Sequence, residues 1–523
     1  MTTFRVALAL LAPLLVTCGR EPQRPNVILI TLDTTRADYL SCYGAEWATT
    51  PALDDLARGG TRFERAYSSS SLTPVSHATI LTGRVNPHHG LRVLSAGSGY
   101  RLSSDTETLA TRFQAAGYTT AAVHSAFPVS RHFGFDRGFD HFDDLSGNLE
   151  RAEGADKTQW DVDTLQRRSD DAIDRTLAWM KGAEQPFFLW LHLWDPHDKL
   201  RLPPNEVLRV ARGRAAAAGL TSPDDQIYAA EVSYQDSQLA RLFAGLAAGG
   251  LEPRTVVAVT ADHGQGLSDG QRLHGWAMHR MVYREQLHVP LILRGPGVQA
   301  GAVIQAQVRT ADIAPTLLEL ANLAAPLDPA HEPDPMLDGA SLVALYRAKG
   351  EGPSADRVVY ADQVNGYDHN AGMRLTRPEA AFLYSLSDGA WKVIFRPHMP
   401  ERSELFHLAA DPLEEHNVRG EQPKEYLRLV AELARINPWI TAPFPALEVV
   451  DPSAAAALGA LGYSSAGLDS DSAWWWTCPE HGEVHEERRG RHTIDGCGRI
   501  LVPRTSWTDA KAATGDGDGD GDD

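Results

Sequence analysis

The chain has 523 residues, of which 43% are hydrophobic and 22% charged, a composition typical of a globular protein built from two or three structural units. Its formal net charge of −19 argues against a nucleic-acid partner, because nucleic acids are bound by basic surfaces. Four cysteines in a chain of this length exclude a disulfide framework as the basis of the fold.

The N-terminus has the pattern of an export signal. Arg5 precedes an apolar run over residues 6–16, which is too short to span a membrane but typical of a signal peptide. Leu15-Val16-Thr17-Cys18 resembles a bacterial lipobox, although Thr17 replaces the small residue that is usual there. We therefore predict a lipoprotein signal peptide over residues 1–18, lipid attachment at Cys18 and anchoring in the cell envelope, on its periplasmic or outer-membrane face. The alternative is a buried N-terminal helix.

Several short apolar runs in the first two thirds of the chain end in residues suited to catalysis. They are "NVILITLD" ending at Asp33, "TTAAVHS" containing His124, "FFLWLHLWDPH" containing His192 and His197, and "TVVAVTADHG" containing Asp262 and His263. Continuous apolar runs of this length predict strands buried on both faces, and helical patterns alternate with them. The alternation predicts an α/β sandwich with a mostly parallel sheet, whose ligands gather at the carboxyl ends of the strands.

The apolar pattern changes along the last third of the sequence. Short alternating strands and turns predict a smaller antiparallel α+β subdomain over residues 355–445, which belongs to the same fold as the α/β domain at 24–354. A linker is predicted at 446–473 and a compact Cys/His module at 474–505. The Gly-Asp tail at 506–523 is predicted to be disordered.

The stretch "SLTPVSHATILTGR", residues 71–84, predicts a helix with a hydroxyl cap at Thr73, proline at its first position and Gly83 just past its end. Capping alone explains this pattern. A hydroxyl at a helix N-terminus also lies in the positive end of the helix dipole, where a tetrahedral oxyanion can be held. A nearby divalent cation would lower the pKa of the hydroxyl and make Thr73 a nucleophile.

The metal candidates are Asp33, Asp262 and His263. Hard carboxylates with one imidazole suit Mn²⁺, Mg²⁺, Ca²⁺ or Zn²⁺, and the sequence does not select among these ions. A single aspartate at a strand end is commonly a helix cap or a turn residue, but three such positions favour one metal site.

Seven blocks occur in the order that is found in sulfatases, over about residues 24–440. They are "PNVILITLDTTRADYLSCYG", "TPVSHATILTGR", "LWLHLWDPHDKLRLP", "TADHGQGL", "REQLHVPLILRGPG", "DIAPTLLELANL" and "ELFHLAADPLEEHNV". The chain therefore resembles the sulfatase branch of the alkaline phosphatase superfamily. This resemblance implies an α/β fold with a central mostly parallel sheet and a smaller C-terminal antiparallel subdomain.

The resemblance also assigns roles to residues. The metal ligands of the family fall on Asp33, Thr73, Asp262 and His263, with Thr73 at the position of the nucleophile. The substrate-binding histidine of the "Pro-His" block falls on His197, and a further basic position falls on His279. His77 is predicted to contact the substrate or, alternatively, to cap its own helix, and His274 is a second candidate for the basic, substrate-binding position. His197 or His279 is expected to protonate the leaving group.

Departures from the family pattern bear on the reaction. Threonine cannot be converted to the formylglycine of true sulfatases, and the Lys and His that usually bracket the sulfate are absent. These features resemble phosphonate monoester hydrolase-like and phosphoglycerol transferase-like relatives. They predict a metal-dependent hydrolase that cleaves a sulfate ester or, favoured by the threonine, a phosphate or phosphonate ester of a small molecule, glycan or lipid. The alternatives are a phosphoryl transferase and an inactive surface binding protein; the oligomeric state is not indicated.

The C-terminal module resembles a small heavy-metal-binding module. Cys478, His481 and Cys497 match its ligand positions, but Ile494 stands where a fourth ligand belongs. His485 or His492 would complete a structural zinc site. The alternative is a disulfide between the two cysteines.

Overall fold

The structure, a computed structural model, describes residues 24–91, 101–145, 165–197, 201–267, 281–323, 338–347, 356–364, 383–397, 400–437 and 440, and the backbone of five short strands elsewhere. The predicted lipid attachment at Cys18 and the module residues Cys478, His481 and Cys497 lie outside the described residues, so lipid attachment and metal binding at these positions stay predictions. Among the described residues, none of the helices combines the length and apolar composition that crossing a bilayer requires.

Strands and helices alternate through the first part of the chain, and strands dominate the last part. The strands are β1 (Asn26–Leu32), β2 (Thr61–Tyr67), β3 (Leu94–Ser95), β4 (Ser98–Gly99), β5 (Thr119–His124), β6 (His141–Asp143), β7 (Phe187–Leu193), β8 (Thr255–Ala261), β9 (His288–Val289), β10 (Leu291–Arg294), β11 (Ala302–Arg309), β12 (Val359–Gln363), β13 (Leu383–Ser387), β14 (Trp391–Phe395), β15 (Glu404–His407), β16 (Trp475–Thr477), β17 (Val484–Glu486) and β18 (Val502–Arg504). The helices are α1 (Pro51–Arg58), α2 (Thr73–Thr82), α3 (Asn86–His89), α4 (Leu109–Ala115), α5 (Ser169–Met180), α6 (Asn205–Ala217), α7 (Pro223–Ala248), α8 (Arg284–Leu287), α9 (Ile313–Leu320), α10 (Val343–Arg347) and α11 (Pro423–Ile436).

The central sheet runs in the order β11-β2-β10-β8-β1-β7-β5-β6, with β9 paired to β2. The neighbours β8-β1-β7-β5-β6 are all parallel, and β10 runs antiparallel between β2 and β8. Every residue of β1, β7 and β8 is buried, because these strands are covered on both faces. The mostly parallel α/β sheet predicted from the apolar runs is confirmed.

The three central strands end at the same level. Leu32 is in register with Leu193 on one side and with Ala261 on the other. The residue after β1, Asp33, therefore leaves the sheet beside the residue after β8, Asp262. Strand register alone places these two carboxylates close together.

Helix boundaries follow local capping signals. Helix α7 begins at Pro223 behind Ser222, whose hydroxyl accepts from the Asp225 amide, and ends before Gly249.

The last third contains a four-stranded antiparallel sheet in the order β12-β13-β14-β15. Helix α11 packs on it through Leu429 and Leu433, which are both fully buried. Asp362, on β12, accepts from Asn86 at the start of α3 at 2.9 Å, so this sheet packs against the part of the α/β domain that carries α2 and α3. The predicted antiparallel subdomain is confirmed. Beyond it, β16 pairs antiparallel with both β17 and β18.

One buried carboxylate on α7 holds the start of α1. Asp236 Oδ2 accepts from the Ala52 amide at 3.0 Å and Oδ1 accepts from the Leu53 amide at 2.9 Å. We expect Asp236→Ala to lower the free energy of unfolding by about 1–3 kcal/mol, because two buried amides lose their acceptor. Urea unfolding measures the change, with Ser237→Ala on the same helix as the control. Equal stability of Asp236→Ala and wild type would contradict this role.

Candidate active site

Four side chains from three separate parts of the chain meet above the carboxyl ends of β1 and β8. They are Asp33 after β1, Asp262 and His263 after β8, and Thr73 at the start of α2, and each is fully buried. The structure therefore brings together the four residues that were predicted to form the metal site. Their roles are taken up below under the proposed function.

The start of α2 differs from the predicted start. Leu72, with extended backbone angles, occupies the cap position, and Thr73 is the first helical residue. The Thr73 hydroxyl lies 3.4 Å from Asp33 Oδ2 and 3.2 Å from His263 Nε2. Gly83 ends the helix in the left-handed conformation with φ 68°, as predicted. The hydroxyl thus faces the acidic cluster.

Backbone amides fix the orientation of Asp262. Its Oδ1 accepts from the Thr34 amide at 3.0 Å and from the His263 amide at 2.7 Å. Asp262 Oδ2 is consequently turned to the other side, where it lies 3.4 Å from His263 Nε2. Oδ1 is therefore used by the backbone, and Oδ2 is directed into the cluster.

His263 is held in one tautomer. Its Nδ1 lies 2.9 Å from the carbonyl oxygen of Gly264, which can only accept, so Nδ1 carries the proton. In the neutral ring, Nε2 then presents a lone pair to Thr73 and Asp262. A backbone carbonyl on the far nitrogen is the usual support of a metal-binding histidine.

The loop after β1 is strained and well supported. Thr34 has φ 48°, a conformation that β-branched residues seldom adopt. Tyr228 on α7 holds the loop, since its hydroxyl donates to the Thr34 carbonyl at 2.7 Å and accepts from the Arg36 amide at 2.9 Å. The strained backbone is what directs the Thr34 amide at Asp262.

The donor set fits a divalent cation. Within the described part of the chain, Asp33 Oδ1 and Asp262 Oδ2 are buried acceptors without a hydrogen-bond partner. Burial and the charge of Asp262 raise the pKa of Asp33 well above its usual range. A cation bound by Asp33, Asp262 and His263, whose ligand atoms lie within 4.8 Å of one another, would compensate this clustered negative charge.

A second group of possible ligands lies on the surface of the C-terminal subdomain. Asp411, Glu415 and His416 also have ligand atoms within 4.8 Å of one another. Asp411 is engaged by the amides of the other two residues in a turn, and both of those are exposed. Turn formation accounts for this group without a metal.

Comparison with protein families decides the identity of the chain. The profile of the sulfatase family matches residues 25–323, which is more than half of the chain. The chain belongs to the sulfatase family. The resemblance read from the sequence motifs is thus confirmed, and the chain is a hydrolase of this family. A second profile, described as the C-terminal part of N-sulphoglucosamine sulphohydrolase, matches residues 272–436.

Curated and solved relatives of this sulfatase-family protein cover most of the chain. It is 24% identical to an N-acetylglucosamine-6-O-sulfatase of Bacteroides thetaiotaomicron, over 80% of this chain and 86% of the relative. The fold is similar to that of a phosphonate monoester hydrolase of Agrobacterium radiobacter, with a TM-score of 0.58, 21% identity and coverage of 80% and 96%. A further solved structure, described as in complex with its substrate D-glucosamine-2-N,6-O-disulfate, has a TM-score of 0.57, 21% identity and coverage of 79% and 98%.

The predicted substrate-binding role of His77 does not fit the structure of this sulfatase-family site. His77 is fully buried, its Nδ1 donates to the Thr73 carbonyl at 2.8 Å, and its Nε2 lies 3.1 Å from the Thr31 hydroxyl. Both ring nitrogens are therefore used within the protein. Its position four residues after Thr73 lets it bond the first turn of its own helix.

His197 lies beside the cluster in a single helical turn after β7. Its ring stacks on Trp194 with centroids 3.8 Å apart. Burial, and then the neighbouring His263, lower the pKa of His197 well below its usual value. The ring is thus neutral near neutral pH. The other two predicted histidines, His274 and His279, lie outside the described residues.

One residue of the sulfatase-family site was not found from the sequence. Thr31 lies on β1, two positions before Asp33. It is buried, and its hydroxyl contacts side chains of both α2 and β7. Its only sequence signal is the two-residue period of a strand, which places its side chain on the same face as Asp33.

Proposed function

We propose that this sulfatase-family protein is a metal-dependent hydrolase that uses Thr73 as its nucleophile, and that a phosphate or phosphonate ester is its preferred substrate. The observation that carries the proposal is the Thr73 hydroxyl, 3.4 Å from Asp33 Oδ2 and 3.2 Å from His263 Nε2 at the start of a helix. In this position the hydroxyl faces the acidic cluster from the first residue of the helix.

The chain's own residues prepare the attack. Asp33, Asp262 and His263 would hold one divalent ion, with Thr73 as the fourth ligand. When bound there, such an ion would stabilise the ionised hydroxyl and the negative oxygens of the ester. The positive end of the α2 dipole faces the same point and favours an incoming tetrahedral anion. Thr73 Oγ1 then attacks the central atom in line with the leaving group.

Two histidines, His197 and His279, are proposed to act on the substrate oxygens and the leaving group. A neutral His197 is a poor proton donor to a leaving group but can hydrogen-bond a substrate oxygen. Protonation of the leaving alcohol is therefore assigned to His279 in this proposal. Water then releases the product from Thr73.

The choice of a phosphorus ester rests on the chemistry of threonine. A threonine side chain is a simple alcohol, and formylglycine is made only from cysteine or serine. Relatives of the chain include both an N-acetylglucosamine-6-O-sulfatase and a phosphonate monoester hydrolase. Carbohydrate substrates are named for two of the relatives, which supports an ester of a glycan or another small molecule.

An inactive binding protein is the competing reading. Decay of the site would be expected to remove at least one of the four clustered residues. Among the described residues, two buried carboxylate oxygens lack partners, which is costly to maintain, and a bound cation would compensate that cost.

A substrate screen tests the proposed reaction. The purified protein is assayed with aryl sulfate, aryl phosphate monoester, aryl phosphodiester and aryl phosphonate monoester, each with added Mn²⁺, Zn²⁺, Mg²⁺ or Ca²⁺. We expect the phosphodiester or the phosphonate monoester to be turned over fastest. Fastest turnover of the sulfate ester would contradict the preference for phosphorus. No turnover and no bound metal would favour the binding protein.

A further inference from the structure

The Thr31 hydroxyl lies behind the proposed metal site and has three nitrogen neighbours. Trp190 Nε1 lies 3.0 Å away, His77 Nε2 lies 3.1 Å away and His192 Nδ1 lies 3.1 Å away. A hydroxyl donates one hydrogen bond and accepts two, so this one is saturated. Because an indole nitrogen only donates, Thr31 accepts from Trp190, accepts from one histidine and donates to the other.

Each of the two histidines reaches onward to a residue of the proposed reaction. His77 donates from Nδ1 to the carbonyl of Thr73 at 2.8 Å. His192 Nε2 lies 3.5 Å from Asp33 Oδ2 and has no hydrogen-bond partner within the described residues. The two rings meet edge to face, with centroids 4.6 Å apart. One hydroxyl therefore links the ring that donates to the Thr73 carbonyl with the ring that packs 3.5 Å from Asp33 Oδ2, a proposed metal ligand.

We propose that Thr31, His77 and His192 are positioning residues that hold Thr73 and Asp33 at a fixed separation. The inference deepens the proposed function and rests on it. Three elements meet at the hydroxyl: β1 carries Thr31, α2 carries His77, and β7 carries His192, which is in register with Thr31. All three side chains are fully buried, so water cannot replace a lost partner without rearrangement.

The chain offers a matched pair of threonines for the test. Thr260 on β8 is in register with Thr31 and is also fully buried. Its hydroxyl donates to the backbone oxygen of Ala261 at 3.2 Å. Thr31→Val and Thr260→Val thus each remove one buried hydroxyl from the same level of the sheet. Thr31→Val removes the hydroxyl that contacts His77 and His192, and Thr260→Val removes its neighbour on β8, whose hydrogen bond within the described residues goes to the backbone.

The readout is the affinity of the purified full chain for Mn²⁺ alone, measured by competition with a chelator. We expect Thr31→Val to weaken Mn²⁺ binding by about 10-fold, the lower end of the loss caused by removing a direct outer partner of a metal ligand, because Thr31 acts on Asp33 only through the packing of His192. Thr31→Ser restores the hydroxyl and is expected to bind as wild type does. Thr260→Val is expected to leave the affinity unchanged.

Two further measurements keep the inference falsifiable. If Thr31→Val does not fold, His192→Asn is used in its place. The asparagine side chain can still hydrogen-bond the Thr31 hydroxyl but does not reach Asp33, so the same loss of Mn²⁺ affinity is expected. Unchanged Mn²⁺ affinity in the folded variants overturns the positioning role and leaves the proposed function standing. If wild-type protein binds neither Mn²⁺ nor Zn²⁺, the proposed function fails, and the positioning role fails with it.

Discussion

Replacing Thr73 by alanine is expected to lower turnover of aryl phosphodiesters by about three orders of magnitude or more, the size of loss seen when a nucleophile is removed. The reason is that no other described hydroxyl lies between Asp33 Oδ2 and His263 Nε2. Metal content should stay near that of wild type, because Asp33, Asp262 and His263 remain. Steady-state kinetics together with metal analysis of the same preparation measure both quantities.

The same helix supplies the controls for this experiment. Thr73→Ser keeps a hydroxyl and is expected to retain measurable turnover. Thr82 is also buried on α2, but its hydroxyl donates to the backbone oxygen of Ala78 at 2.6 Å. Thr82→Ala should therefore leave turnover close to wild type. Wild-type activity of Thr73→Ala would show that the nucleophile has been misassigned.

Replacing Asp262 by asparagine is expected to weaken metal binding by about two orders of magnitude or more, since a charged ligand becomes a neutral one. Asparagine keeps an oxygen that accepts from the amides of Thr34 and His263, so the loop after β1 should stay in place. The repulsion that raises the pKa of Asp33 is removed as well. The metal-free variant should thus be at least as stable as metal-free wild type, and added metal should no longer raise its melting temperature.

The exposed group of ligands on the C-terminal subdomain provides the control for the metal experiment. Asp411→Asn also changes an aspartate that has an acidic residue and a histidine as neighbours. The oxygens of Asp411, however, accept from backbone amides of a turn. Its metal stoichiometry and its metal-induced rise in melting temperature should equal those of wild type. Loss of the metal from Asp411→Asn, with retention in Asp262→Asn, would move the metal centre to that group.

Much of the architecture was predictable because parallel strands that are buried on both faces have continuous apolar sequences. The apolar runs "NVILITLD" and "TVVAVTADHG" predicted β1 and β8. The polar residues at the ends of these runs are Asp33, Asp262 and His263, which were the predicted metal ligands. Thr73 was predicted as a helix cap and as a nucleophile at once. Local sequence cannot separate these two uses, because both place a hydroxyl at a helix start.

The support around the site was not predictable in the same way. Thr31 is 46 residues from His77 and 161 residues from His192, and it meets them only through strand register and helix packing. A threonine inside a strand has no sequence feature that distinguishes a connecting hydroxyl from a residue chosen for strand propensity. The sequence left open whether His77 contacts the substrate or bonds within its own helix, and the packing of α2 directs both of its ring nitrogens into the protein.

The common level at which β1, β7 and β8 end has a consequence for how such a protein can change during evolution. Asp33, Asp262 and His263 directly follow strands that are buried on both faces, so their conformational entropy is lost when the sheet forms and not again at each encounter with substrate. Insertions into the surrounding loops then alter which ester is admitted without displacing the reactive atoms. New specificities can arise at the rim of this site while its centre stays the same.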